Sequence, residues 1–307
     1  MSNVVGVESR SAQGSLQRRP HASSANTPAA FAPHVQRVQR ASHGTIGAGI
    51  IIALSAWLML AAPPRVRAQS CHAASLRPTS GLTYRVALSG LFGNFATDAT
   101  SGEYQGILAT LAIEHPWFAA EVTVPGFRIA QIGSHAYGPG DVLISARGNL
   151  YRSADNVIVA GPEIAATLPT GSMEDGLGMG HVMLMPGAFV RWHNAGYSVI
   201  AQLSYGAALS SGEHAHHMGP APIVNPMNRS ELAHALSASA QLHPNLNLTG
   251  RLLGAVTVAD HRGAAREVVA PGVQLVFGAF DASLELQVPV VGHPFSSRTL
   301  LSVGAQW

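Results

Sequence analysis

From residue 82 to residue 307 apolar side chains return at every second position in one short segment after another. That period of two is the repeat of a pleated strand and excludes a helical fold. In the stretch from Tyr197 to Leu209, the residues Tyr197, Val199, Ala201, Leu203, Tyr205, Ala207 and Leu209 share one face, and Ser198, Gln202, Ser204, Gly206 and Ser210 share the other with Ile200 and Ala208. Phe280, Ala282, Leu284, Leu286, Val288 and Val290 repeat the pattern against Ser283, Glu285 and Gln287, as do Leu82, Tyr84, Val86 and Leu88 against Thr83, Arg85 and Ser89.

The segments number about twelve, near 82 to 90, 104 to 113, 118 to 125, 141 to 151, 157 to 168, 181 to 192, 197 to 209, 231 to 242, 247 to 258, 267 to 277, 280 to 290 and 298 to 307. Their connections alternate in length. Long ones at 91 to 103, 126 to 140, 169 to 180 and 210 to 230 are interleaved with short ones at 115 to 117, 152 to 156, 193 to 196 and 244 to 246; a medium loop at 259 to 266, a tight turn near Gly278 and a medium loop at 291 to 297 complete the series. A soluble sandwich also alternates, but its polar face meets water and carries charge. Here charged residues are only 11% of the chain, and the polar-facing positions are mostly Ser, Thr, Gln, Gly and Ala. An even strand number, short turns at one end and long loops at the other point instead to an all-β transmembrane antiparallel barrel of about twelve strands.

Export is expected as well. Residues 44 to 64 form an uncharged run, preceded by Arg37 and Arg40 and followed by Arg65, with the small-residue pattern Val66-Arg67-Ala68 behind it. This reads as a cleaved signal with a long basic leader over 1 to 68, leaving a barrel over 69 to 307; the rival is an uncleaved anchor, since the run can span ~30 Å of hydrocarbon. Arg18-Arg19 lies too far from the run for a twin-arginine signal, and Ala68-Gln69-Ser70 before Cys71 is a poor lipobox. The sequence pI of about 9.0 comes from the leader, which holds seven arginines and one acid through residue 67. The remainder has eleven arginines against fifteen acids, which disfavours a nucleic-acid partner. The expected location is the outer membrane of a Gram-negative bacterium, with outer-membrane lipid as surroundings. The last strand, Leu301, Val303, Ala305 and Trp307, ends on an aromatic, as barrels read by the outer-membrane insertion machinery commonly do.

The stretches GPGDVLISARGNLY (138 to 151) and GPEIAATLPTGSMEDGLGMGHVMLMPGAFVRW (161 to 192) resemble the outer-membrane transporter family named for the MetA pathway of phenol degradation. Gly140-Asp141, Leu168-Pro169-Thr170-Gly171 and Gly178-Met179-Gly180 carry the likeness. It implies an exported barrel that passes a small-molecule solute, often aromatic or apolar, with no catalytic residue to carry over. The residues themselves suggest turns, with Asp141 as a cap or a side chain at the pore mouth.

If the aliphatic face meets lipid, parity turns Arg85, Glu121, Arg147, Glu163, Arg191, Gln202, Arg251, Gln274, Glu285 and Gln287 inward. Such a mixture either constricts an open channel or pairs off into a closed structural barrel. No G-x-S-x-G or H-E-x-x-H motif is present, so no catalytic residue is assigned and the chain is not expected to be an enzyme. In the 210 to 230 loop His214, His216, His217 and Met218 crowd beside Glu213, a donor set that suits copper or another transition metal, so metal handling is an alternative role; the rival is a loop rich in His by chance. Replacing His214, His216 and His217 together with alanine should abolish copper binding by titration. In the parent, affinity should fall as pH drops through ~6.5, because only neutral imidazole ligates.

Overall fold

The computed structural model describes residues 81–96, 101–131, 133–209, 227–258, 265–292 and 295–307. The leader and its processing site, and the metal ligands expected at His214, His216, His217 and Met218, lie outside the described residues. The strands are β1 (Thr83–Ala96), β2 (Ser101–His115), β3 (Phe118–Gln131), β4 (Ser134–Pro139), β5 (Val142–Gly148), β6 (Tyr151–Arg152) and β7 (Ile158–Leu168). After them come β8 (Met183–Asn194), β9 (Tyr197–Ala208), β10 (Ser230–His243), β11 (Leu246–Thr257), β12 (Arg266–Phe277), β13 (Phe280–Val291) and β14 (Phe295–Gln306).

Three of these share one place in the wall. β4 and β5 lie against the two halves of β3, and β5 and β6 against the two halves of β7, so together they make one interrupted span. The result is a closed antiparallel barrel of 12 strands. Closure comes from β1, which pairs with β2 on one side and with β14 on the other. At the seam the Tyr84 and Trp307 N–H groups each donate to the other's carbonyl at 3.0 Å, and the two rings stack with centroids 6.3 Å apart.

The twelve spans fall where the alternation puts them, but several are longer. The connections expected at 91 to 103 and 126 to 140 are largely strand: β1 runs on to Ala96, β2 starts at Ser101, β3 reaches Gln131 and β4 follows from Ser134. The loop expected at 291 to 297 is likewise shortened by β14 starting at Phe295. These extensions keep the two-residue period on the inner face through Leu91, Phe95, Tyr104 and Ile129, all buried. They are held because those side chains pack with Leu177, Val268 and Phe295 into an apolar cluster inside the barrel.

The outer face is apolar. Val86, Leu88, Ile107, Leu111, Leu203, Leu236, Leu284, Leu301 and Val303 are all exposed, a surface that water would not tolerate over a whole barrel wall. Exposed Tyr84, Trp192, Phe277, Phe280 and Trp307 ring the end that carries the two-residue turns, and Phe92 and Tyr205 mark the other. From Tyr84 to Phe92 is eight residues; at ~3.3 Å each and a tilt of ~40° that is ~20 Å, close to the ~25 Å apolar band of outer-membrane barrels.

A polar pair sits on this face. His234 of β10 and Glu267 of β12 both stand opposite Gly254 of β11, and the His234 Nε2 and Glu267 Oε1 atoms meet at 3.2 Å across it. A Cβ at Gly254 would overlap both side chains, so glycine is what lets them join. The pair lies one register step from Leu232 and Tyr205, at the girdle.

Closure has a direct test. Ser89 of β1 and Ser302 of β14 face each other with Oγ atoms 2.7 Å apart, although 213 positions separate them in sequence. In a Cys71→Ser background, Ser89→Cys/Ser302→Cys should form an intrachain disulfide on mild oxidation, seen as a reducible shift in gel mobility. Two thiols that stay reduced would contradict the β1 to β14 seam.

Candidate functional site

The lumen is built by the second set of positions on every strand. Parity brings Arg85, Glu121, Arg147, Glu163, Arg191, Gln202, Arg251, Gln274, Glu285 and Gln287 to the inner face, opposite in the pleat to the exposed aliphatic residues. With them come acids and arginines at the ends of the alternating segments or just beyond them: Glu114, Glu231, Arg266, Asp281 and Arg298. Extending the alternation by one or two steps beyond each short segment finds Glu114 and Arg266.

Most of these charges meet a partner across the wall. Near the two-residue turns, Arg85 donates to both carboxylate oxygens of Asp281, at 3.0 and 3.2 Å. Gln274 donates to the same carboxylate at 3.3 Å, and Asn247 to Gln274 at 3.1 Å. Higher on the same wall Arg251 donates to Glu285 at 2.5 Å, and Gln287 to Glu285 at 2.6 Å. Arg298 donates in turn to the Gln287 side-chain oxygen Oε1, and its guanidinium lies 4.4 Å over the Phe295 ring. This polar chain therefore climbs from strand to strand and ends against the apolar cluster.

The opposite wall is looser. Arg147 stands 3.6 Å from Glu114 and 5.7 Å over the Phe189 ring, and Gln202 donates to Glu163 at 2.7 Å. Thr123 donates to Glu121 at 3.5 Å and shares a hydrogen bond with Thr110 at 2.9 Å. Arg191, only 6% exposed, has no hydrogen-bond partner at Nε. Beside this group lies a cavity of about 450 Å³ lined by Glu114, Glu121, Arg147, Glu163, Gln202 and Met185 among others.

A second cavity, of about 220 Å³, lies between the polar chain and the apolar cluster, lined by Leu91, Leu108, Phe127 and Leu300 with Gln287 and Arg298. Its cover is the connection between β7 and β8, which turns inward. Asp141 holds that connection: Gly171 N–H donates to Asp141 Oδ1 at 3.0 Å and Met179 N–H to Oδ2 at 2.6 Å. The Thr170 hydroxyl donates to the Gly140 carbonyl at 2.7 Å and accepts from Val142 N–H at 3.0 Å. Leu177 and Met179 are buried as a result, and both line the cavity. Asp141 is thus the cap that turn chemistry suggested, reaching across the barrel wall to a loop about thirty residues on.

No protein-family model and no curated protein matches the chain. Among solved structures it is similar to the translocator domain of the autotransporter NalP from Neisseria meningitidis, with 14% identity, 86% of this chain and 95% of that one covered, and a TM-score of 0.41. It is also similar to OmpF of Salmonella typhi, in complex with daunomycin, at 8% identity over 74% of this chain and 97% of that one with a TM-score of 0.35. OpdK of Pseudomonas aeruginosa, with vanillate, gives 8% identity, 74% and 98% coverage and a TM-score of 0.32. All three are outer-membrane β-barrels, and identities this low say nothing of what passes through this one.

The ion pairs make one strong prediction. Glu231 is fully buried and accepts from Arg266 at 2.6 Å and from the Asn228 backbone N–H at 2.8 Å. Arg266→Met should strand that carboxylate and lower barrel stability by about 3–5 kcal/mol, whereas Arg266→Met with Glu231→Gln should recover most of it. Urea midpoints of heat-modifiable protein will separate the two variants.

Proposed function

We propose that this chain is a selective conduit for small solutes across the outer membrane, and not an open diffusion pore or an enzyme. A closed barrel with an apolar outer belt spans the outer membrane of Gram-negative bacteria, and that is where this protein resides. The observation that carries the reading is the inner face. Its charges are tied across strands, and above them an apolar cluster closes in, so the described lumen offers discrete cavities of about 450 and 220 Å³. A small, largely apolar or aromatic molecule suits that sequence of surfaces better than a hydrated ion does. The likeness of residues 138 to 192 to the MetA-pathway family supports the same solute class.

By the rule that turns are periplasmic and loops external, the two-residue turns face the periplasm and Asp141's loop faces outward. Arg147 and Arg191, on the looser wall, tune the field that a solute meets on leaving the apolar part, with Arg85 and Arg251 locked on the other side. We assign to Trp307 the signal read by the insertion machinery. Deleting the gene should slow uptake of at least one member of a panel of substituted benzenes, and restoring it in trans should reverse the effect. Unchanged uptake across that panel would favour a closed structural barrel, and a defect confined to copper would favour metal handling through the His214 to Met218 loop.

A further inference from the structure

Resting on the conduit reading, the geometry points to a binding chamber for one solute molecule, roofed by the β7 to β8 connection, with Asp141 as the latch of that roof. Three independent features meet here. The cavity of about 220 Å³ is apolar on most sides, through Leu91, Leu108, Phe127, Leu177 and Leu300, with Gln287 and Arg298 as its amide and guanidinium donors and with Thr123 and Asp141 as its other polar lining. That volume is below the ~300 Å³ at which pockets for drug-sized ligands begin, so the occupant is a single substituted ring or its equivalent, with one hydrogen-bond acceptor turned to Arg298.

The roof is the second feature. Within residues 172 to 176 Glu174 and Asp175 are exposed and Met173 is half-buried, its sulfur beside Gly180, while Leu177 and Met179 are the buried apolar side chains of the segment that follows. The segment closes on itself through the Ser172 carbonyl, which accepts from Leu177 N–H at 2.8 Å, and it is tied to the wall by the Thr170 hydroxyl and by one carboxylate that takes a backbone N–H at each end, at Gly171 and Met179. A charged acceptor with two donors is a strong clasp, and it is concentrated in one side chain. The third feature is the wall beside it. Among the described residues β4 pairs only with β3, so its other edge has no strand neighbour at the level of the roof. Leu177 lies against the inner face of β4, 3.2 Å from where a Cβ on Gly138 would stand. Releasing the Asp141 clasp therefore frees a segment that no β ladder anchors, and opens the chamber to the outside.

The test uses purified full-length protein in lipid nanodiscs, with 4-fluoroacetophenone as probe and ¹⁹F NMR as readout. Saturable binding at one site per barrel is expected, abolished by Leu108→Trp, which fills the chamber from a wall position. Uptake of the probe that rises linearly with concentration, equal in parent and Leu108→Trp, would overturn the chamber. The latch is read separately, as cleavage after Glu174 by a glutamyl endopeptidase. Asp141→Asn keeps the shape but can accept from only one of the two N–H groups without opposing a donor to the other, and should speed cleavage about tenfold or more. If Asp141→Asn fails to assemble, Gly178→Ala decides, because its Cβ would overlap the Asp141 carboxylate and push the roof off the clasp. Cleavage at the parent rate in the assembled variant would overturn the latch. Since both readouts are made on isolated protein, unchanged uptake in a deletion strain would remove the transport reading while leaving these two results to stand or fall separately.

Discussion

Every backbone N–H and C=O in contact with hydrocarbon needs a partner within the protein, and a sheet meets that demand only by closing on itself. In this chain the demand is met at the seam between β1 and β14, where Tyr84 and Trp307 exchange hydrogen bonds and stack their rings. The rest of the structure depends on that closure. Once the sheet is a cylinder, the period of two sorts residues into a lipid face and a lumen, and a residue's neighbours are set by register with strands remote in sequence. Arg85 and Asp281, 196 positions apart, are joined in this way.

The lumen that results is not a water-filled pipe lined with free charge. Arginine and carboxylate taken from water regain their solvation only from each other, so each paired residue is a strut of the wall. The arrangement is uneven. One wall carries a continuous chain from Arg251 through Glu285 and Gln287 to Arg298, and the other carries the longer Arg147 to Glu114 approach and the buried Arg191.

Much of this was legible in the alternation. The twelve spans and the inward parity of residues such as Arg147 and Glu285 follow from the two faces of a pleat, because that information is local. The tops of β1 to β4 were not legible, since inside the barrel Leu91, Phe95 and Ile129 replace polar residues while Phe92 faces outward, and a segment apolar on both faces loses the contrast that marks a membrane strand. Partner choice was hidden for a different reason: which acid meets Arg85 or Arg266 is fixed by register around the whole cylinder, and no spacing along the chain encodes it. Turn chemistry marks Asp141 as a cap, yet the N–H groups it caps lie at Gly171 and Met179, so its role emerges when β5 and β7 are laid side by side.

The central claim is that paired charges and an apolar cluster make this barrel a gated conduit for small molecules and not an open pore. Conductance of the purified protein in planar bilayers tests it most directly. Steady, porin-like ionic current at low voltage from the unmodified protein would contradict the account; a silent barrel, in which Asp141→Asn gives brief, flickering openings, is the result it predicts.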